Sequence, residues 1–189
     1  DDSEIEFISN DGKIFSIRSG KSRFSLGCLP KEEFPIIEVD NLKSELTIDS
    51  QELLSLIEKT RFAISSEETR YFLNGIYFHK NKDTDNDVLT MVATDGHRLA
   101  KIDFNSSDNI VNMPGVIIPR KTIFELSKLL ADYSGNIKIN VDPNKIIFFV
   151  NKSILISKLI DGSFPDYQRV IPDSNNNILK VNRSSFCTA

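Results

Sequence analysis

The chain has 189 residues, of which 40% are hydrophobic and 26% are charged, in the proportions of an ordinary globular protein with one or two domains. Its formal net charge of −4 excludes a general basic surface for nucleic acid, so any such contact must use a local basic patch. The sequence also contains no apolar run of the 18 or more residues that a membrane helix requires.

The first predicted element is a hairpin. Residues 13–17 and 22–29 flank Ser19-Gly20-Lys21, and Phe24 and Leu26 alternate there with polar side chains. This alternation is typical of a half-buried strand. The acidic and polar residues 36–45 that follow indicate a domain boundary.

A strand and a helix are predicted next. Leu46-Thr47-Ile48 predicts a short strand, and Asp49, with Glu52 three residues later, predicts the capping box of a helix that runs to about Ile64. One face of this helix is expected to be buried, since its members recur at 3.6-residue spacing: Leu53, Leu56, Ile57, Thr60 and Ile64. Three strands follow, at about 71–79, 87–94 and 97–104, and Asp95-Gly96 predicts a tight turn between the last two.

A second helix is predicted to begin at Pro119, with Ile123, Leu126 and Leu130 on its buried face. Strands at about 136–141, 145–150 and 153–160 follow it. The order of elements, strand-helix-strand-strand-strand, therefore occurs twice. Grouped strands with two helices predict an α+β fold in which both helices pack on antiparallel sheets.

The chain also repeats itself at long range. Lys13–Ile17 resembles Lys145–Phe149, and Phe34-Pro35 and Phe164-Pro165 lie 130 residues apart. Leu46–Leu53 similarly resembles Leu179–Phe186 at an offset of 133 residues. Such a period is the size of a whole domain rather than of a solenoid repeat. We therefore expect the end of a first domain in residues 1–43, a complete domain in 44–174 and the start of a third in 175–189.

Two motifs have both a structural and a functional interpretation. Thr94–Ala100 can be a simple hairpin in which Leu99, Ile102 and Phe104 face the core. Phe164–Pro172 can be an interdomain linker stiffened by two prolines and held by Phe164. In the functional interpretation, Arg169 and Val170 line a crevice that the hairpin shares, because clefts at domain junctions are favoured binding places.

The sequence contains no pattern typical of an enzyme. A hydrolase that uses His97 with Asp95 or Asp166 is one hypothesis, but it lacks a nucleophile at a recognisable spacing. His79, His97, Cys28 and Cys187 are too scattered for a metal site, and no glycine-rich phosphate loop is present. We therefore predict no catalytic residue, metal or cofactor. The two isolated cysteines are typical of a reducing cytoplasm.

Five strings together resemble the bacterial DNA polymerase III beta subunit family, the sliding clamps. They are Arg18–Leu26, Thr69–Gly75, Thr94–Ala100, Ile117–Lys121 and Ser157–Pro172, in the order in which the family has them. The resemblance implies the DNA clamp fold, with three domains per protomer. It also implies that two protomers close head to tail into a ring around duplex DNA and tether the polymerase without chemistry of their own.

The resemblance further implies a pocket for partner peptides between the middle and third domains. Its middle-domain residues correspond here to Leu73, Thr94, Gly96, His97, Arg98, Leu99, Pro165, Arg169 and Val170. Leu73, Leu99 and Val170 are expected to form an apolar floor for a partner's leucine or phenylalanine, with orienting polar groups around it. The implied partners are the polymerase III alpha subunit, the clamp loader, and other polymerases and repair proteins with clamp-binding peptides.

The resemblance also implies which residues contact duplex DNA. They lie on the two helices, which line the central hole of the ring in this family, and at the start of the Thr69–Gly75 string. The residues expected to make these contacts are Lys59, Arg61, Tyr71, Phe72, Arg120, Lys121 and Lys128. Glu67 departs from the family, which has glutamine where this carboxylate would repel phosphate. The alternative to a DNA clamp is a clamp-like protein-interaction module that does not bind DNA.

Overall fold

The computed structural model describes residues 4–10, 12–34, 44–81, 88–105, 113–172 and 176–189. The chain divides into two compact units, Asp1–Asp40 and Asn41–Ala189. Most of the expected boundary segment, residues 36–43, lies outside the described residues, as does Asp87 of a predicted strand.

The first unit is an antiparallel sheet of strands β1 (Ile5–Asn10), β2 (Ile14–Ser19) and β3 (Ser22–Gly27), in that order. The predicted hairpin is confirmed as β2 and β3, whereas β1 was not predicted. Phe7 lies opposite Ile17, which lies opposite Phe24, so all three share one face of the sheet. A short 3-10 turn, Lys31–Glu33, follows.

The second unit contains two sheets and two main helices. Its first half comprises β4 (Ser44–Asp49), α1 (Ser50–Glu58), β5 (Gly75–Lys80), β6 (Val88–Thr94) and β7 (Leu99–Asn105). Its second half comprises β8 (Val116–Pro119), α2 (Arg120–Ala131), β9 (Asn136–Val141), β10 (Lys145–Val150) and β11 (Ser153–Lys158). The predicted order of elements and the α+β class are therefore confirmed.

Each half contributes its first strand to the sheet of the other half. The strand orders are β11-β10-β9-β4 and β7-β6-β5-β8, and the pairings are antiparallel. Strand β4 pairs with β9, so that Ser44 lies opposite Val141, and β8 pairs with β5, so that Gly75 lies opposite Pro119. The duplicated halves are therefore interlocked by exchanged strands.

The two helices pack against each other. Gln51 at the start of α1 donates hydrogen bonds from Nε2 to the carbonyls of Leu130 and Tyr133 at the end of α2, at 3.3 and 2.8 Å. The helices are therefore antiparallel. Leu53, Leu56 and Ile57 of α1 and Ile123, Leu126 and Leu130 of α2 are buried in the core cluster, as predicted from their spacing.

Helix α1 ends earlier than predicted. Asp49 caps it as expected, since its Oδ1 accepts hydrogen bonds from the backbone N–H groups of Gln51 and Glu52 at 2.9 and 3.1 Å. The helix stops at Glu58, and a 3-10 turn covers Arg61–Ala63. Thr60 and Ile64 remain buried because this turn keeps the chain against the core, so the predicted face is confirmed although the helix boundary is wrong.

The predicted strand at 71–79 is also partly wrong. Glu68–Leu73 forms 3-10 turns with a kink at Arg70, and β5 begins only at Gly75. After β11 the chain turns onto the outer face of β5, where Tyr167–Val170 forms another 3-10 turn. We call residues 160–170 the covering segment.

The second sequence echo has a structural counterpart. Asp49 caps α1, and Asn182, 133 residues later, caps α3 (Arg183–Thr188) by accepting a hydrogen bond from Ser185 N–H at 3.1 Å. Residues 176–182, by contrast, form no strand like β4.

Candidate functional site

The hairpin between β6 and β7 is held by its own side chains. Asp95 Oδ1 accepts hydrogen bonds from the backbone N–H groups of His97 and Arg98 at 2.9 and 3.0 Å, and Oδ2 accepts one from Arg98 Nε at 3.0 Å. The bonds from His97 and Arg98 to this partly buried carboxylate lower the pKa of Asp95 from 3.8 to about 2. Thr94 Oγ1 donates to the Arg98 carbonyl at 2.7 Å and closes the turn.

Leu99 does not face the core. Successive residues of a strand point to opposite faces, so Leu99 shares a face with exposed Lys101, whereas Ala100 and Phe104 belong to the core cluster. The structural interpretation that placed Leu99 beside Ile102 and Phe104 in the core is therefore wrong. Leu99 is half-buried and accessible from the outer side of the sheet.

Arg70 connects the hairpin to the chain before β5. Gly96 has a φ of 88°, and a Cβ built on it would lie 2.7 Å from Arg70 Nη1. Arg70 also forms an ion pair with Glu67, whose pKa is lowered by the hydrogen bonds from Arg70 and Thr69. The guanidinium therefore lies directly on the hairpin. Leu73, at the end of the same 3-10 turns, is buried at 4% exposure.

The covering segment packs on the same stretch of chain from another side. Gly162 lies against Phe72 and Tyr71, since a Cβ built on it would be 3.2 Å from Phe72 Cβ. Ile160 N–H donates to the Ile117 carbonyl at 3.0 Å, and the Phe164 and Tyr77 rings stack with centroids 4.9 Å apart. The hairpin and the covering segment therefore both flank residues 70–80, although they are far apart in sequence.

The residues expected to bind a peptide thus lie on elements that the fold brings together. We call this set the peptide wall: Leu73, Thr94, Gly96, His97, Arg98, Leu99, Pro165, Arg169 and Val170. Val170 is 69% exposed, and Arg169, which is paired with Asp166 at 2.8 Å, has a side chain that is 84% exposed. His97 and Arg98 are also exposed, so the wall presents an apolar residue and several polar groups to solvent.

A second feature is an open groove at the start of α2. It has a volume of about 470 Å³ and is lined by Ser65, Ser66, Asn74, Arg120, Lys121 and Phe124, which define what we call the basic groove. The guanidinium carbons of Arg61 and Arg120 lie 5.3 and 5.5 Å from the centroid of the Phe124 ring. Three of the residues expected to contact DNA, Arg61, Arg120 and Lys121, are therefore brought to one place.

The groove also contains polar backbone and side-chain groups. The N-cap residue of α2 is Pro119, whose side chain forms no capping hydrogen bond, and the helix dipole favours an anion at this end. Arg120 N–H donates to the Asn74 carbonyl at 2.9 Å. Asn74 Oδ1 is buried and has no hydrogen-bond partner among the residues that the structure describes.

The other residues expected to contact DNA are distributed more widely. Lys59 is exposed at the end of α1, and Lys128 lies two turns along α2, where it pairs with Glu125 at 3.0 Å. Tyr71 is 53% exposed and meets Phe72 edge to face, with ring centroids 5.7 Å apart.

The geometry around His97 does not form a hydrolase site. Asp95 binds backbone N–H groups and the Arg98 guanidinium, so it acts as the cap of a turn. Within the described parts of the chain, no three His, Cys, Asp or Glu side chains gather in a group that could hold a metal ion. No helix among those same residues is long and apolar enough to cross a membrane.

Sequence reasoning missed several residues of these surfaces. Arg70 had a detectable signal, because it stands in the string Thr69–Gly75 that carries the resemblance. Asn74 stands in the same string, whereas Phe124, Ser65 and Ser66 had no such signal, because only the meeting of α2 with the chain before β5 brings them together.

Comparison with known proteins agrees with this architecture. The family described as "DNA polymerase III beta subunit, central domain" matches residues 47–166. The beta sliding clamp of Caulobacter vibrioides (strain NA1000 / CB15N) is 44% identical over 188 residues, which are 100% of this chain and 50% of that protein. That of Proteus mirabilis is 42% identical over 169 residues, covering 87% of this chain and 44% of that protein.

The crystal structure of a DnaN sliding clamp from Bartonella birtlesii, bound to griselimycin, matches with a TM-score of 0.85 and 47% identity. The match covers 100% of this chain and 50% of the Bartonella chain. The present chain therefore spans about half the length of these relatives. The match to the family's central domain covers well over half of the chain, and the solved clamps share its fold. The chain therefore belongs to the DNA polymerase III beta subunit family.

Proposed function

We propose that this chain is part of a DNA sliding clamp. Residues 1–43 are the end of a first clamp domain, 44–174 a complete middle domain and 175–189 the start of a third. Two full-length protomers close into a ring around duplex DNA in the cytoplasm and tether a polymerase without catalysing a reaction. Family membership over residues 47–166 is the observation that carries this proposal.

The basic groove is the part of the chain that we assign to DNA. Arg61, Arg120 and Lys121 supply positive charge, and the uncapped start of α2 adds its dipole. Part of this charge is cancelled, since Arg61 pairs with Glu58, and Lys128 farther along α2 pairs with Glu125. So few unpaired cations bind phosphate weakly, as is suitable for a ring that topology holds on DNA while it slides.

Lys59, Tyr71 and Phe72 complete the proposed DNA surface. Lys59 and Tyr71 are exposed, so that the first is available to phosphate and the second to stacking or packing. The ion pair between Glu67 and Arg70 reduces the repulsion that the carboxylate would otherwise exert on a phosphate.

The peptide wall is the part that we assign to protein partners. Leu99 and Val170 offer accessible apolar surface, and His97, Arg98 and Arg169 surround it with donors that can orient a peptide backbone or carboxylate. The proposed partners carry clamp-binding peptides: the polymerase III alpha subunit, the clamp loader, and other polymerases and repair proteins.

Retention on circular DNA tests the clamp proposal. The full-length protein is loaded onto nicked circular duplex DNA by its clamp loader, and the protein that co-elutes with DNA on gel filtration is measured. Cutting the circle should release it, because a ring can slide off a free end. Retention on the linear product would indicate binding by affinity, and no retention on the circle would favour an interaction module that does not bind DNA.

A further inference from the structure

Four rings form a row across the outer face of β5. Phe164 stacks on Tyr77 with centroids 4.9 Å apart and planes at 7°, and Tyr77 stacks on His79 at 4.6 Å and 27°. His79 then meets Tyr167 with centroids 5.8 Å apart. The two inner rings belong to β5 and the two outer rings to the covering segment, so the row joins the two elements at both of its ends.

Hydrogen bonds fix the orientation of the His79 ring. Its Nδ1 lies 2.8 Å from the carbonyl oxygen of Lys80, which can only accept, so Nδ1 carries a proton. In the neutral ring Nε2 is then an acceptor, and it lies 3.0 Å from the hydroxyl of Tyr167, which donates to it. Tyr167 is 6% exposed, so its hydroxyl needs a partner within the protein.

The segment that carries the two outer rings also carries part of the peptide wall. Pro165 lies between the anchored residues Phe164 and Tyr167, and Arg169 and Val170 lie in the short 3-10 turn that Tyr167 begins. Arg169 and Val170 are themselves largely exposed, so their positions depend on how the buried residues beside them are held.

We propose that His79 and Tyr167 are positioning residues for the peptide site. Their hydrogen bond acts as a latch that fixes the turn at 167–170, and with it the exposed Arg169 and Val170, on the outer face of β5. Neither residue is expected to touch the peptide. The effect on peptide affinity rests on the proposed function, whereas the effect on the order of the covering segment does not.

Amide hydrogen exchange tests the latch in this chain. Tyr167→Phe removes only the hydroxyl, and His79→Phe keeps a ring that can stack on Tyr77. Each change should accelerate exchange at the N–H of Ile171, which donates to the Gln168 carbonyl, by about fivefold, as expected for one lost hydrogen bond. The double variant should add little to either single change, because both remove the same interaction.

The matched control is Tyr133→Phe. It deletes a hydroxyl that donates to the Asn136 carbonyl at 3.4 Å and leaves the covering segment unaltered. It should not change exchange at Ile171. The latch is disproved if Tyr167→Phe leaves Ile171 unchanged, or if it accelerates the helix α2 amides to the same extent, because the change would then act on the whole unit.

Nitrogen chemical shifts of the two histidine rings provide a spectroscopic check. His79 should show a protonated Nδ1 and an acceptor Nε2, and Tyr167→Phe should shift its Nε2 signal while that of His97 stays constant. An unchanged His79 signal would disprove the bond.

Peptide affinity is measured last, with a fluorescent peptide that contains adjacent leucine and phenylalanine and with the full-length protein. Tyr167→Phe should weaken binding about three- to tenfold at a temperature far below the melting transition, and Tyr133→Phe should not. Equal affinity of wild type and Tyr167→Phe would overturn the positioning role. If the wild type itself does not bind, the peptide wall fails as a proposal while the exchange experiment still decides the latch.

Discussion

At the scale of single residues, Leu99 distinguishes the peptide wall from ordinary core. We predict that Leu99→Asp weakens binding of a clamp-binding peptide to the full-length protein by about 2–3 kcal/mol or more, because it places a charge against an apolar surface. Melting should change little, since Leu99 is only half-buried and lies on the outer face of β7.

Ile102→Asp is the matched control for this prediction. Ile102 lies on the opposite face of the same strand and packs against the core cluster, so its replacement should lower the melting temperature strongly. Calorimetry and fluorescence anisotropy of both variants decide the matter. A collapse of melting in Leu99→Asp would show that Leu99 is needed for folding rather than for binding.

Asp95 leads to a prediction about pH. Because its pKa is lowered from 3.8 to about 2, the bonds that it accepts stabilise the hairpin fully above pH 3.8 and are lost as the pH falls through 2. The N–H signals of His97 and Arg98 should therefore move with a midpoint near pH 2 in an NMR titration. Asp95→Asn should abolish this response, and a midpoint near 3.8 in the wild type would contradict the assignment.

The resemblance supplied the residues that we propose as the peptide wall, but it did not give all of their orientations. Strict alternation along a strand puts Leu99 on the other face from Ile102 and Phe104, so the sequence itself argues against placing all three in the core. The position of Arg70 on Gly96 could not be foreseen, because it depends on the kink within Glu68–Leu73.

At the scale of elements, helix α2 carries a prediction about DNA. Arg120→Ala and Lys121→Ala should each lower the salt dependence of DNA retention by about one unit, since each removes roughly one phosphate contact from the assembled ring. Lys138→Ala serves as the control, because Lys138 lies on β9 and pairs with Glu45 at 3.1 Å. Nanomolar binding of duplex DNA by this chain alone in physiological salt would contradict topological tethering.

Element boundaries followed local patterns only where tertiary contacts agreed with them. The apolar spacing of α1 identified its buried face, but Thr60 Oγ1 donates to the carbonyls of Leu56 and Ile57 where the helix ends, and a 3-10 turn replaces the last predicted turn. Tyr71-Phe72-Leu73 has the composition of a strand but forms 3-10 turns, with Gly162 packed against its aromatic residues. No local pattern reveals such a contact.

At the scale of the whole molecule, the clamp proposal predicts different states for this chain and for the full-length protein. The full-length protein should be a dimer, because ring closure in the family joins the first domain to the third. This chain should be mainly a monomer, because we assign only parts of those two domains to it. Light scattering measures both masses.

Exposed apolar residues of the first unit complicate that measurement. Phe7 is 61% exposed and Phe24 is 59% exposed, so weak association at high protein concentration is expected. A dilution series separates this effect from a specific interface. A dimer of this chain that persists unchanged on dilution would contradict the assignment of the interface.

The exchange of strands between the halves of the second unit has a consequence for how the protein folds. Strand β4 pairs with β9, which lies about 90 residues later in the chain. Strand β8 pairs with β5, although β6 and β7 lie between them in the sequence. Neither sheet is complete until the other half of the chain has been made, so the first half emerges from the ribosome with an unsatisfied sheet edge. Contacts of this sequence separation slow folding. Once formed, they prevent either half from unravelling by itself, so the unit should gain and lose its structure in a single cooperative step.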